Sequence, residues 1–213
     1  MADYNAHTYF GMRVLEEMPC DQRRRCIEDL PVFRLGLYGP DPLIFGPKTK
    51  AISDFLHRTW LGDLPRLKEA IGGEDPVLRS FAAGYLLHQR LDEVIHGHIR
   101  RWVKTGSSHF RLELELDRQL LEELHHKKRP RLAVHGKERA AEAAAELFEE
   151  IDRGQYLLGL YGMAVVTDFF QSAAFRPLAR PKPKETAQAR LLRKALEETI
   201  TSAAQELAEY AGA

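Results

Sequence analysis

Apolar residues recur at steps of three and four through most of the chain, and strict apolar–polar alternation is almost absent. That period belongs to amphipathic helices rather than half-buried strands. It predicts helices over 7–18, 21–29, 49–72, 76–104, 107–128, 137–152, 154–173 and 185–210, with ends set to within about two to four residues. Phe110, Leu112, Leu114 and Leu116 alternate as a strand would. The set Phe110, Leu114 and 117–121 suits a helix equally, and with helical neighbours on both sides the segment reads as helix. Interruptions are expected at Pro31, Gly39-Pro40-Asp41-Pro42, Gly46-Pro47, Gly72-Gly73 and Thr105-Gly106-Ser107-Ser108, where glycine and proline break the helical pattern. Asp75 before Pro76 has the form of an N-cap with proline in the first turn, and Ser107 or Ser108 is placed to cap the next helix. The expectation is an all-α, single-domain multi-helix bundle over 1–213.

Composition narrows the function classes. A chain of 213 residues is long enough for one closed core. Its 31 basic and 31 acidic side chains cancel, so no long-range field draws it to nucleic acid or an anionic membrane, and no nucleic-acid partner is expected. The basic runs His125 to Arg131 and Arg176 to Lys184 have no interleaved aromatics and read as solvated linkers, the second (near 176–184) leading into a C-terminal helix. Ala140 to Ala145 favours helix. No apolar run reaches the length that crosses a bilayer, and Met1 to Thr8 are polar, so a cytoplasmic protein with at most peripheral membrane contact is expected. Cys20 and Cys26 lack CxxC spacing and read as reduced, structurally ordinary thiols.

Candidate chemistry lies mid-chain. His88 and Asp92 are four apart on a predicted helix, so they share a face and can chelate one ion. His96 continues the stripe, His98 follows beyond Gly97, and His109 with Glu113 repeats the spacing on the next helix. Imidazole nitrogens and carboxylate oxygens are zinc ligands, and helical bundles build such sites from facing helices. A single His-x-x-x-Asp pair is ordinarily a hydrogen-bonded pair; two linked pairs within one helix-turn-helix unit point to metal. Tyr9, Phe10, Tyr38, Phe45, Phe55, Trp60, Tyr85 and Trp102 fall at helical spacing and read as core before they read as a lipid pocket.

The ordered set His7-Thr8-Tyr9-Phe10-Gly11, Gly39-Pro40-Asp41-Pro42, His88-x-x-x-Asp92-x-x-x-His96 and His109-x-x-x-Glu113 resembles the bacterial zinc-dependent phospholipase C family. The resemblance implies a helical fold and hydrolysis of phosphodiesters by a metal cluster. It makes His88 and Asp92 ligands of a central metal, with Asp41 as a further ligand or as general base. It makes His109 and Glu113 ligands of a second metal, completed by His98 as in classical secreted members or by His96 as in other bacterial relatives. Helical angle favours His96. His7 would hold a third metal, which secreted members complete with an N-terminal tryptophan amine that this chain lacks. The histidine expected after the Gly-Pro-Asp turn is either His57, which sits late, or is replaced by Lys48.

The implied cofactor is zinc, or manganese or iron, since such donor sets accept each of them. The implied substrate is a small-molecule or phospholipid phosphodiester. The alternative is a non-catalytic helical binding or scaffold protein with a degenerate metal site. Other hydrolase classes lose support because the chain has no His-Asp dipeptide, no Gly-x-Ser-x-Gly elbow and no glycine-rich phosphate loop.

Overall fold

The computed structural model describes residues 4–46, 48–103, 106–123, 135–171 and 183–212. In chain order these form α1 (Tyr4–Glu17), α2 (Cys20–Cys26), α3 (Leu30–Gly36), a 3-10 helix (Asp41–Phe45), α4 (Lys50–Gly72), α5 (Pro76–Trp102), α6 (Gly106–Glu123), α7 (Lys137–Leu147), α8 (Arg153–Gln171) and α9 (Pro183–Gly212). No strand occurs among the described residues, and the architecture is an all-α multi-helix bundle. No described helix is long and apolar enough to cross a membrane.

The bundle is organised around α5. Asp75 caps it as expected, its carboxylate accepting from the N–H groups of Val77 (2.7 Å) and Leu78 (3.0 Å), with Pro76 at the first helical position. Residues 79–89 of α5 are buried without interruption, on every side of the helix. A helix covered all round is a central helix, and α1, α2, α3, α4, α7 and α9 all pack against this one. The tightest crossing is with α3: a Cβ on Gly84 would stand 2.9 Å from the Leu37 nitrogen and 3.0 Å from the Gly36 carbonyl carbon. Only glycine at these positions lets the two backbones approach so closely, and that approach carries the Leu37 carbonyl to the middle of α5.

Several expectations shift. Pro31 does not interrupt the chain but opens α3, because Asp29 caps that helix through the Val32 N–H (3.2 Å) and proline fits the first turn. A 3-10 turn at Asp41–Phe45 follows, within a region read as a break. Helix α6 begins at Gly106, so neither Ser107 nor Ser108 is its N-cap. Helix α7 ends at Leu147, ahead of 152, where Phe148 turns extended. The alternation at 110–116 is helical; Leu112, Leu116 and Leu120 are fully buried and Leu114 nearly so, because α6 is covered on several sides. The run His125 to Arg131 lies outside the described residues, as does 176–182, while 183–184 open α9. Of the aromatic residues read as core, Tyr9, Phe10, Tyr38, Trp60 and Tyr85 are buried, Phe45 and Trp102 are partly so, and Phe55 is exposed.

Candidate metal centre

Imidazole orientation sets the chemistry of this site. On α5, the Nδ1 of His88 lies 3.1 Å from the Leu37 carbonyl delivered by the α3 crossing. A carbonyl only accepts, so Nδ1 donates and the Nε2 lone pair faces inward. On α4, the Nδ1 of His57 lies 2.8 Å from the Ser53 carbonyl, one turn back, and the same reasoning turns its Nε2 inward. Backbone carbonyls that fix the outer nitrogen are the usual support of metal-binding histidines.

The two inward nitrogens are 3.2 Å apart. Two lone pairs at that distance repel, so a cation, either a proton or a metal ion, belongs between them. Around the same point, His57 Nε2 is 3.3 Å from Asp41 Oδ1 and 3.3 Å from Asp92 Oδ2, and His88 Nε2 is 3.6 Å from Asp92 Oδ2. A tetrahedral shell with bonds of about 2.0–2.1 Å has edges of about 3.3–3.4 Å, so these donors already stand near coordination spacing. Asp41 reaches the group from the 3-10 helix, whose approach is held by Gly39. With φ of +49°, Gly39 lies against the His88 ring so closely that a Cβ would stand 2.6 Å from Cγ and 2.7 Å from Nε2. The Tyr156 hydroxyl on α8 donates to the Gly39 carbonyl (2.7 Å) and pins the turn.

Asp92 connects this group to two others. Its second oxygen, Oδ1, is 3.2 Å from His7 Nε2 on α1. The His7 ring stacks on His88 with centroids 4.2 Å apart. One turn along α5, His96 Nδ1 is 3.7 Å from Asp92 Oδ2, and its Nε2 is 3.4 Å from Glu113 Oε1 on α6. His109 Nε2 is 2.6 Å from the same Glu113 oxygen, a hydrogen bond. His7, His88 and Asp92, then Asp41, His57 and His88, then His96, His109 and Glu113, thus form groups whose donor atoms are close enough to share an ion.

Electrostatics favour a cation at the centre. Burial opposes charge on His57, but its hydrogen bonds to Asp41 and Asp92 outweigh that and raise its pKa to about 10. Burial, reinforced by His7, lowers His88 to about 4. Burial would raise both carboxyls; His57 and then His88 hold Asp41 below its usual range, and His96, His88, His57 and His7 hold Asp92 well below its own. The metal-free site therefore keeps a proton on His57 Nε2 among three acceptors.

The sequence-predicted residues His7, Asp41, His88, Asp92, His96, His109 and Glu113 all converge. His98 does not. Two residues beyond His96 it points elsewhere on α5, its ring against Trp102 at 5.3 Å. Lys48 is exposed, with φ of 63°, and is not among the residues that line the cleft. His57, the alternative to Lys48, stands with Asp41 and His88. No sequence signal singles it out, because its ring is oriented by the backbone carbonyl of Ser53, which any residue at that position would offer.

Asp41, His57, Asp92, His96, His109 and Glu113 line a cleft of about 450 Å³ between α4, the 3-10 helix, α5 and α6, walled by Ile44 and Phe110, with Arg58 along it. His88 is fully buried, whereas His57, His96 and His109 keep side-chain exposures of 21%, 28% and 36%, so small molecules approach from their side. What this geometry defines is a helical protein with buried His/Asp/Glu groups able to hold metal ions. Comparison with protein-family models, curated proteins and solved structures found no match.

Proposed function

We propose that the protein is a metal-dependent phosphodiester hydrolase, similar in its site to zinc-dependent phospholipase C. The observation that carries this reading is the spacing of donors around His57, whose Nε2 is 3.2 Å from His88 Nε2 and 3.3 Å from both Asp41 Oδ1 and Asp92 Oδ2, with His88 Nε2 and Asp92 Oδ2 3.6 Å apart. A second group, His96, His109 and Glu113, stands one helical turn away across Asp92.

Zinc is the preferred ion, because the donor set is dominated by imidazole with carboxylate, and manganese or iron are the alternatives. Bound there, it would supply Lewis-acid activation of water and of the phosphoryl oxygens. His88 and His57 hold their rings rigidly through Leu37 and Ser53, so little reorganisation accompanies binding. Asp92 spans the groups with its two oxygens. Asp41, kept ionised and facing the cleft, is placed either to complete the shell or to take a proton from the attacking water. The cleft of about 450 Å³ suits a small phosphodiester or a phospholipid headgroup.

The test is elemental analysis of purified protein together with cleavage of bis(p-nitrophenyl) phosphate. Bound zinc, and turnover lost in His88→Ala and Asp92→Ala, support a hydrolase. Bound zinc without turnover on any phosphodiester favours a helical binding protein with a degenerate site. Protein that acquires neither metal nor activity when zinc is added removes the reading.

A further inference from the structure

We propose that Asp117 is the positioning residue for His7, its carboxylate on α6 holding the first turn of α1. The described helix α1 starts at Tyr4, so the Ala6 N–H lies in its first turn and has no intrahelical carbonyl partner among the described residues. Asp117 Oδ1 accepts from that N–H at 3.0 Å, and Oδ2 accepts from the Asn5 side-chain amide at 2.8 Å. Asn5, Ala6 and Asp117 are all buried, so water does not compete for these bonds. A carboxylate at the positive end of a helix is itself favourable.

The next residue is His7, whose Nε2 stands 3.2 Å from Asp92 Oδ1. No loop intervenes between the anchored peptide and the imidazole, so where Asp117 holds Ala6, the His7 ring is aimed. On α6, His109, Glu113 and Asp117 recur every four residues along one face. The same face therefore supplies two members of the outer group and the anchor of His7.

The consequence for zinc rests on the metal reading above, whereas the positioning itself does not, and the experiment separates them. Isotope-labelled, metal-free protein is compared as wild type, Asp117→Ala and Asp117→Asn, following exchange of the Ala6 amide and the ring signals of His7 and His109. In wild type the Ala6 amide should exchange slowly; in Asp117→Ala it should exchange faster by on the order of tenfold or more. The His7 signals should move while those of His109 stay. Asp117→Asn should remain near wild type, because its amide oxygen still accepts from Ala6 and, once the Asn5 amide turns over, its NH₂ donates to the Asn5 oxygen, which is buried with no partner among the described residues.

With zinc added, Asp117→Ala should bind as little as His7→Ala, and the double variant no less than either. A general loss of stability would not produce that equality. Unchanged His7 signals in Asp117→Ala, or a rapidly exchanging Ala6 amide in wild type, would overturn the proposal; the latter needs no variant to fold. Wild type that binds no zinc while Asp117→Ala still displaces His7 would sink the metal reading and leave the positioning standing.

Discussion

Replacing Gly39 by alanine is expected to cost both stability and zinc affinity, and the size of the loss follows from two separate features of the turn. Its φ of +49° lies in the left-handed region, where an L side chain costs about 1–2 kcal/mol. The added Cβ would also fall 2.6–2.7 Å from His88 ring atoms, and overpacking of this kind costs about 1–3 kcal/mol. Together they give about 2–5 kcal/mol. At about 3 °C per kcal/mol for a chain of this length, melting should fall by roughly 6–15 °C. Relief of the clash must push the His88 ring away from His57 or the turn away from α5, so zinc binding should weaken by at least about tenfold. Gly62 is the internal control. It lies in the interior of α4, exposed, and a Cβ added there would meet nothing within 4 Å, so alanine should be neutral or stabilising by up to about 1 kcal/mol. Urea and thermal unfolding with calorimetric zinc titration check all of this. A Gly39→Ala protein that melts with wild type and binds zinc as tightly would refute the packing of the turn on His88.

Other consequences can be checked separately. His57→Ala should reduce zinc affinity by more than about 100-fold, whereas His98→Ala should leave it unaltered because that ring packs on Trp102; equilibrium dialysis distinguishes the two, and equal losses would contradict the assignment of His57. In the metal-free protein, the raised pKa of His57 stabilises the fold fully below its unfolded value near 6.5, and that contribution is lost as pH rises towards about 10. Zinc must displace the same proton, so binding near neutral pH should release one proton, seen as a dependence of calorimetric heat on buffer ionisation enthalpy; no such dependence would argue against a protonated His57. Burial pushes the Cys26 thiol up to about 12 against the opposing charges of Arg79 and Arg25, while Cys20 is exposed. A thiol reagent at pH 8 should therefore label one cysteine in native protein and both in guanidinium; two fast native sites would contradict the buried setting of Cys26.

What can be read from the chain alone follows from the range of the interactions involved. The His88/Asp92/His96 and His109/Glu113 pairs are spaced by the helix itself, so pattern alone brings each pair onto one face. The Asp75 cap is equally local. Bringing Asp41 and His57 to His88 depends on the α3–α5 crossing at Gly36 and Gly84 and on Tyr156, whose hydroxyl reaches across from α8. None of that is periodic, which is why the sequence leaves both His57, which sits late, and Lys48 as candidates for the place the resemblance implies. His96 and His98 are separable by angle, since positions two apart on a helix differ by roughly 200° of rotation, at about 100° per residue, and so face opposite sides. Pro31 is ambiguous in sequence because proline both breaks helices and opens them, and only the Asp29 carboxylate bonded to the Val32 N–H settles which. The acids of α6 conceal its environment: Glu113, Glu115 and Asp117 are charged types on two sides of the helix, yet are 3%, 1% and 1% exposed.

Anomalous diffraction at the zinc edge, from crystals grown with zinc, bears most directly on whether these side chains form a metal centre. A peak within about 2.0–2.2 Å of donor atoms of Asp41, His57, His88 and Asp92 is the expected result. Density confined to surface residues, or none between α4 and α5, would contradict it.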